Sequence, residues 1–220
     1  MPNHRKESCN NMPTAIIFAP PGGGKTVNAT LVPGKTLLLS SDNSAVVLNN
    51  FERKELTVKE VTTFKEFLES FDAATQGKHY DNIIVDCLTD LIDGFIVECR
   101  ENKTFSDIRQ AYMLVYTKVK ALARSAAHCG TNVIFNCWED SEEITTPSGE
   151  IKTRLSPMLP AKIKQQVCGL CNVIAYVTTA TDKEGTKHWY YITDPRDTLM
   201  VKDQISCRKN CKPEDIFGGK

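Results

Sequence analysis

Five short apolar runs punctuate the first two thirds of the chain: Thr14–Ala19, Thr36–Ser41, Thr57–Val61, Asn82–Asp86 and Asn132–Trp138. They are rich in aliphatic and β-branched residues and do not alternate with polar residues, so they predict strands buried on both faces. Between several of them the period changes. From Thr63 to Gln76, Phe64, Phe67, Leu68 and Phe71 share one face, and Thr63 with Glu66 has capping-box spacing, which predicts a helix. Ser106 to Cys129 predicts a longer one, because Ile108, Tyr112, Val115, Val119, Leu122 and Ala126 advance by 4, 3, 4, 3 and 4 residues and form a single stripe. Strands alternating with helices imply an α/β fold with a mostly parallel sheet.

The last third has a different rhythm. Glu142 to Leu155 predicts a β-hairpin around Pro147-Ser148-Gly149, and Ala161 to Cys171 predicts a helix. Val173–Thr179, His188–Ile192 and Leu199–Val201 predict further strands, the last two joined by Asp194-Pro195-Arg196-Asp197. These extend the same sheet. The expected organisation is a polar N-terminal arm over residues 1–13, one domain over 14–212 and a C-terminal tail over 213–220.

Composition narrows the function. Hydrophobic residues at 41% and charged residues at 25% of 220 are ordinary for a folded domain. Basic and acidic side chains number 27 each, so the formal charge is 0, and a nucleic-acid surface must be a local patch or one assembled from several copies. No apolar run approaches a membrane span, and Ala15–Ala19 is too short for a signal peptide. Nine cysteines scattered through core-like segments read as reduced thiols, pointing to a cytoplasmic setting.

The sharpest chemical signal is Ala19-Pro20-Pro21-Gly22-Gly23-Gly24-Lys25-Thr26, directly after the first predicted strand. It matches a P-loop with Ala in the first Gly position. Glycines let backbone N–H groups turn inward around β- and γ-phosphates, Lys25 places a cation there, and the Thr26 hydroxyl is a ligand for Mg²⁺. The helix beginning near Thr26 is expected to be short, because Pro33-Gly34 cuts it off. An acid ending a buried strand is the usual complement, and Ile83-Ile84-Val85-Asp86 supplies it.

Asp42, in Ser40-Ser41-Asp42-Asn43, is the candidate for orienting and deprotonating an attacking water; the plain alternative is a turn aspartate. Asn136 ends the fifth strand, either as a sensor of the γ-phosphate or as a strand-end amide satisfied by backbone. Trp138 either stacks a base or packs its ring in the core. Cys168-x-x-Cys171 and Cys207-x-x-x-Cys211 have spacings that suit zinc, but the first pair lies on a predicted helix beside Val167 and Leu170, where thiols pack well.

The order APPGGGKT, LLLSSD, IIVDCLTDL, NVIFNCWED, SPMLPAKI, a helix ending LCNVIAYV and a terminal VKDQISCRKN resembles the phage P-loop ATPases with a RecA-type core, which include phage single-strand-annealing recombination ATPases. The resemblance covers about residues 13–212. It implies a RecA-like sheet of order 5-1-4-3-2 flanked by helices, with a C-terminal β-hairpin extension. It implies ATP held by Pro21, Gly22, Gly23, Gly24, Lys25, Thr26 and Val27, and Mg²⁺ held by Thr26 and Asp86. Lys25, Asp42, Asn136 and Lys202 are the catalytic candidates, with Lys202 reaching a neighbouring copy's γ-phosphate and Arg208 and Lys209 as rivals for that task. Glu139–Ser156 takes the place of a flexible DNA-facing loop, with Lys152 and Arg154 as its basic residues. The activity implied is ATP hydrolysis in phage DNA recombination or repair, by a homo-oligomer on single-stranded DNA in the host cytoplasm, with a phage single-strand-binding protein as a further partner. Two alternatives stand beside it: a P-loop small-molecule kinase, for which no arginine cluster follows the fifth strand, and a non-catalytic assembly or regulatory protein that only binds nucleotide.

Overall fold

The structure, a computed structural model, describes residues 12–51, 53–102, 105 and 107–218. The predicted N-terminal arm therefore lies almost wholly outside the described residues. β1 (Thr14–Ala19) leads into α1 (Lys25–Ala29), β2 (Thr36–Ser40) into a 3₁₀ turn (Ser44–Asn50), and β3 (Leu56–Glu60) into α2 (Phe64–Gly77). β4 (Asn82–Asp86) is followed by α3 (Leu88–Glu101) and α4 (Ile108–Ala126). β5 (Asn132–Thr145) then turns back into β6 (Ile151–Pro157) ahead of α5 (Ala161–Leu170). β7 (Val173–Thr181), β8 (Lys187–Ile192), β9 (Lys202–Asp203), β10 (Asn210–Cys211) and a second 3₁₀ turn (Pro213–Asp215) complete the chain.

One sheet runs through the molecule in the order β10-β8-β7-β1-β5-β4-β2-β3, with β6 added to β5 and β9 to β7. The six strands from β7 to β3 are parallel, and the additions are antiparallel. Alternate residues of β1 feed opposite cores, which is why its sequence shows no polar alternation. Ile16 and Phe18 join Phe67, Phe71, Val115 and Ile163 under α2, α4 and α5, while Ala15 and Ile17 join Ala29, Leu48 and Tyr191 on the other side. Full burial of such an aliphatic or aromatic side chain contributes about 1.5–3 kcal/mol.

The expected order 5-1-4-3-2 holds for the buried parallel strands β1, β2, β4, β5 and β7 counted in chain order, which lie as β7-β1-β5-β4-β2. β3 is not one of these five: it is added outside β2 as the edge. Its edge position has a visible cause. β2 reads Thr-Leu-Leu-Leu-Ser and is buried throughout, whereas β3 reads Leu-Thr-Val-Lys-Glu and exposes Thr57, Val58, Lys59 and Glu60. Charges on a strand are tolerated where solvent reaches them, and they protect an open edge from pairing with other chains. The expectation that Thr57–Val61 is a buried strand fails for the same reason, although Val61 itself is buried.

The capping box of α2 forms with a shift of one residue: Thr63 Oγ1 accepts from the Glu66 N–H at 3.1 Å, while Glu66 Oε2 reaches back to the Thr62 N–H at 3.0 Å. The β-hairpin expected over Glu142–Leu155 forms, with β5 continuing unbroken out of the core to meet β6, so the flexible loop that the resemblance placed at Glu139–Ser156 is a strand pair. Leu199–Val201, expected as a strand, makes only isolated bridges at Leu199, and the pairing strand is β9. Residues 213–218, expected as a tail, pack on the body: Ile216 is fully buried and Arg208 donates to the carbonyls of Asp215 and Ile216. Among the described residues no helix is long and apolar enough to cross a membrane.

Candidate functional site

Register brings the chemistry together. Ser40 of β2 is level with Asp86 of β4, and Ile17 of β1 is level with Asn136 of β5. Side chains alternate across a strand. Ile84 faces the α1 side of the sheet, and so do Asp86 two residues on and Asn136 two residues beyond Ile134. The strand ends therefore present Asp42, Asp86 and Asn136 beside the loop that follows β1. A cavity of about 390 Å³ opens there. Its floor is Pro21, Gly22, Gly24, Lys25, Thr26 and Val27, and its walls are Asp42, Ser44, Val47, Asp86 and Trp138.

The loop has the shape its glycines predict. Gly22 and Gly24 have φ of 74° and 84°, the left-handed region that side-chain-bearing residues avoid. Gly24 has a second constraint: a Cβ there would come within 2.5 Å of the Trp189 ring on β8. Gly23 turns toward Ala19 rather than into the cavity, and its N–H donates to the Pro20 carbonyl at 3.0 Å. α1 is short, as expected. The Lys25 ammonium donates to the carbonyls of Ala19 and Pro20, both at 3.0 Å, so it lies folded over the loop whose anion it is suited to meet.

Asp86 is 1% exposed. Asn136 Nδ2 donates to its Oδ1 at 2.9 Å and Ser44 Oγ donates to its Oδ2 at 3.0 Å. Burial raises its pKa above the ordinary aspartate value. Hydrogen bonds from Thr26 and Asn136 pull it down, the Asp42 charge pushes it up, and the Ser44 bond again pulls it down. Asn136 thus bonds a side chain, not the backbone satisfaction of its plain alternative, and holds the acid. Asp42 Oδ1 accepts from the Ser44 N–H at 3.0 Å, so the acid is a turn aspartate and a cavity wall at once. Trp138 is half-buried and lines the cavity. Thr26 hydroxyl and the Asp86 carboxylate are hard oxygen donors facing one space, a set that fits Mg²⁺.

Other candidates lie elsewhere. Lys202 pairs with Ile174 of β7 on the side away from β1, in register with Ile16 and three residues back from Ala19. Burial lowers its ammonium pKa, with Cys171 and Cys168 pulling it back. The fold does not bring Lys202 to its own chain's cavity. Arg208 is committed as a clamp, donating to Asp203 Oδ2 at 2.9 Å as well as to the two carbonyls near the C-terminal end. The two basic residues of the β5–β6 hairpin are also spent: Arg154 bonds Glu142 at 2.7 Å, and Lys152 bonds Glu150 at 3.2 Å and Asp197 at 3.3 Å. Cys168 and Cys171 belong to one core and Cys211 to the opposite one, so the fold separates the two cysteine pairs.

Three residues escaped the reading of the sequence. Ser44 bonds Asp86, Trp189 seats the glycine loop, and Lys164 is a buried lysine bonded to Asp140 Oδ2 at 3.0 Å and Ser156 Oγ at 2.9 Å. Only Ser44 left a trace, in its closeness to Asp42.

A family model described as an AAA domain matches residues 12–205. Among solved structures, the chain is similar to a KaiC-like protein from the hyperthermophilic archaeon Pyrococcus horikoshii, at 10% identity and a TM-score of 0.50, over 90% of this chain and 82% of that one. At that identity the likeness is one of fold, a RecA-type α/β sheet. No curated protein matches the sequence.

Proposed function

The chain belongs to the AAA-domain family, and on that premise we propose that it is a Mg²⁺-dependent ATPase that works as an oligomer on single-stranded DNA. The observation that supports hydrolysis best is the convergence of Lys25, Thr26, Asp42 and Asp86 on one cavity. When bound, Mg²⁺ supplies charge to offset the phosphates, held through Thr26 and Asp86. Lys25 leaves the carbonyls of Ala19 and Pro20 for the phosphate oxygens. Asp42 orients the attacking water and takes its proton, and Asn136 keeps Asp86 aimed at the cation. Trp138 closes the cavity toward the hairpin. A cation from a neighbouring copy, Lys202 or Lys209, completes charge stabilisation on assembly.

A second feature supports the nucleic-acid half. A groove of about 530 Å³ between α4 and α5 is lined by Thr117, Lys120, Ala121, Arg124, Gln166, Gly169 and Leu170, which include two cations and no carboxylate. A chain of zero net charge needs several such grooves side by side to hold a polyanion. Phage recombination, with annealing or strand pairing as the outcome, is the setting that the motif resemblance suggests.

The test is phosphate release with and without single-stranded DNA, alongside particle mass in solution. Release that rises with DNA, on particles larger than one chain, supports the reading. Tight ATP binding with negligible release under both conditions replaces it with the non-catalytic assembly, and failure to bind DNA at low salt with an ATP analogue removes the DNA half.

A further inference from the structure

The Ser44 hydroxyl stands in the slot between the two groups expected to hold the cation. It accepts from Thr26 Oγ1 at 3.4 Å and donates to Asp86 Oδ2 at 3.0 Å. In an octahedral Mg²⁺ shell, with oxygens at about 2.0–2.1 Å from the metal, neighbouring oxygens are about 3 Å apart. The Thr26–Ser44 separation is close to that edge. The bond to Asp86 is the one a metal-bound water makes to an acid outside the inner shell. We propose that Ser44 is a further protein ligand of the divalent cation, its oxygen taking the place of a water while its hydrogen stays on Asp86. This rests on the nucleotide-site reading above and deepens it.

The backbone holds the hydroxyl there independently of any ligand. Asn43 has φ of 59° and reverses the chain after β2, and the 3₁₀ turn starts at Ser44 itself. Ala45 and Leu48 anchor that turn in the core under α1. The Ser44 N–H meanwhile donates to Asp42 Oδ1 at 3.0 Å. One residue therefore ties the cation site to the acid assigned to the attacking water, the first through its side chain and the second through its backbone. A serine that merely satisfied Asp86 would need neither the contact with Thr26 nor a place on the cavity wall, and Ser44 has both.

Substitution separates a ligand from a simple hydrogen-bond donor. ATP binding is measured by calorimetry on the full chain in EDTA, in Mg²⁺ and in Cd²⁺, for the wild type, Ser44→Ala and Ser44→Cys, with melting curves to check folding. Expected for Ser44→Ala is unchanged affinity in EDTA and a loss of roughly tenfold in the gain that Mg²⁺ confers. Ser44→Cys should lose the same gain in Mg²⁺ and recover it in Cd²⁺ beyond both other proteins, because sulfur prefers the softer ion. A full Mg²⁺ gain in Ser44→Ala overturns the proposal. So does a Ser44→Cys protein that follows Ser44→Ala in both metals. If the wild type itself binds no ATP with Mg²⁺, the nucleotide-site reading fails and the ligand assignment goes with it; the intact wild-type signal distinguishes the two failures.

Discussion

Two groups of carboxylates lie on the same sheet and are treated in opposite ways. At the strand ends, Asp86 is buried among neutral donors, Asn136 and Ser44, and neither it nor Asp42 is in a salt bridge among the described residues. On the hairpin, Asp140 and Glu142 have protein cations: Lys164 lies 3.0 Å from the first and 3.7 Å from the second, and Arg154 lies 2.7 Å from Glu142. A buried acid with only neutral partners costs stability and is poised for a cation from outside. An acid with a protein cation is already neutralised and serves to hold elements together. The first pair reads as a site, the second as a fastening between β5, β6 and α5.

The contrast breaks most readily at Asp42. Asp42→Asn keeps an acceptor for the Ser44 N–H but loses the base, so ATP turnover should fall roughly 10²–10⁴-fold while calorimetric ATP affinity stays within a factor of about two; turnover at the parent rate would place the base elsewhere. Lys25→Ala should weaken ATP binding by about 1.5–3 kcal/mol; the melting temperature should fall by less than this implies, through loss of the donor to the buried Ala19 carbonyl and to the Pro20 carbonyl. Lys164→Ala inverts that pattern. It removes the cation from Asp140 and the donor from the buried Ser156 hydroxyl, leaving Glu142 with Arg154, and should destabilise the fold by roughly 1–3 kcal/mol in urea titration, with ATP affinity untouched; a loss of affinity would tie the hairpin to the site.

The smallest effect sharpens the comparison most. The Asp86 carboxyl titrates above its unfolded value. In the window between the two values the native state holds a proton that the unfolded chain has released, so stability without nucleotide falls as pH rises through it. Asp86→Asn removes that penalty. Its melting temperature without nucleotide should exceed the parent's at neutral pH, by about 2–4 °C for each kcal/mol recovered, although its Mg²⁺-dependent ATP affinity is lost. For the parent, Mg²⁺-ATP affinity should strengthen with rising pH as Asp86 ionises. A less stable Asp86→Asn would show that the acid is structurally compensated like those of the hairpin.

By itself the sequence determined what local pattern can determine. Short apolar runs specified the central strands, Phe64, Phe67 and Phe71 specified α2, and Gly22-Gly23-Gly24-Lys25-Thr26 and Asp86 marked the candidate phosphate and metal groups because that chemistry demands those residues in that spacing. Even the edge position of β3 was written in Lys59 and Glu60, though it was masked by reading Thr57 and Val58 as core. Tertiary structure alone decided the rest. Which strand lies beside which depends on crossovers tens of residues long, and no local period encodes them. With β5 between β1 and β4, Asn136 comes within 2.9 Å of Asp86, and with β2 beside β4, Ser44 enters the slot between Asp86 and Thr26. The seat of Trp189 against Gly24 and the pairing of Lys164 with Asp140 likewise join residues distant in the chain, whose meeting is stabilised only when the whole sheet has formed.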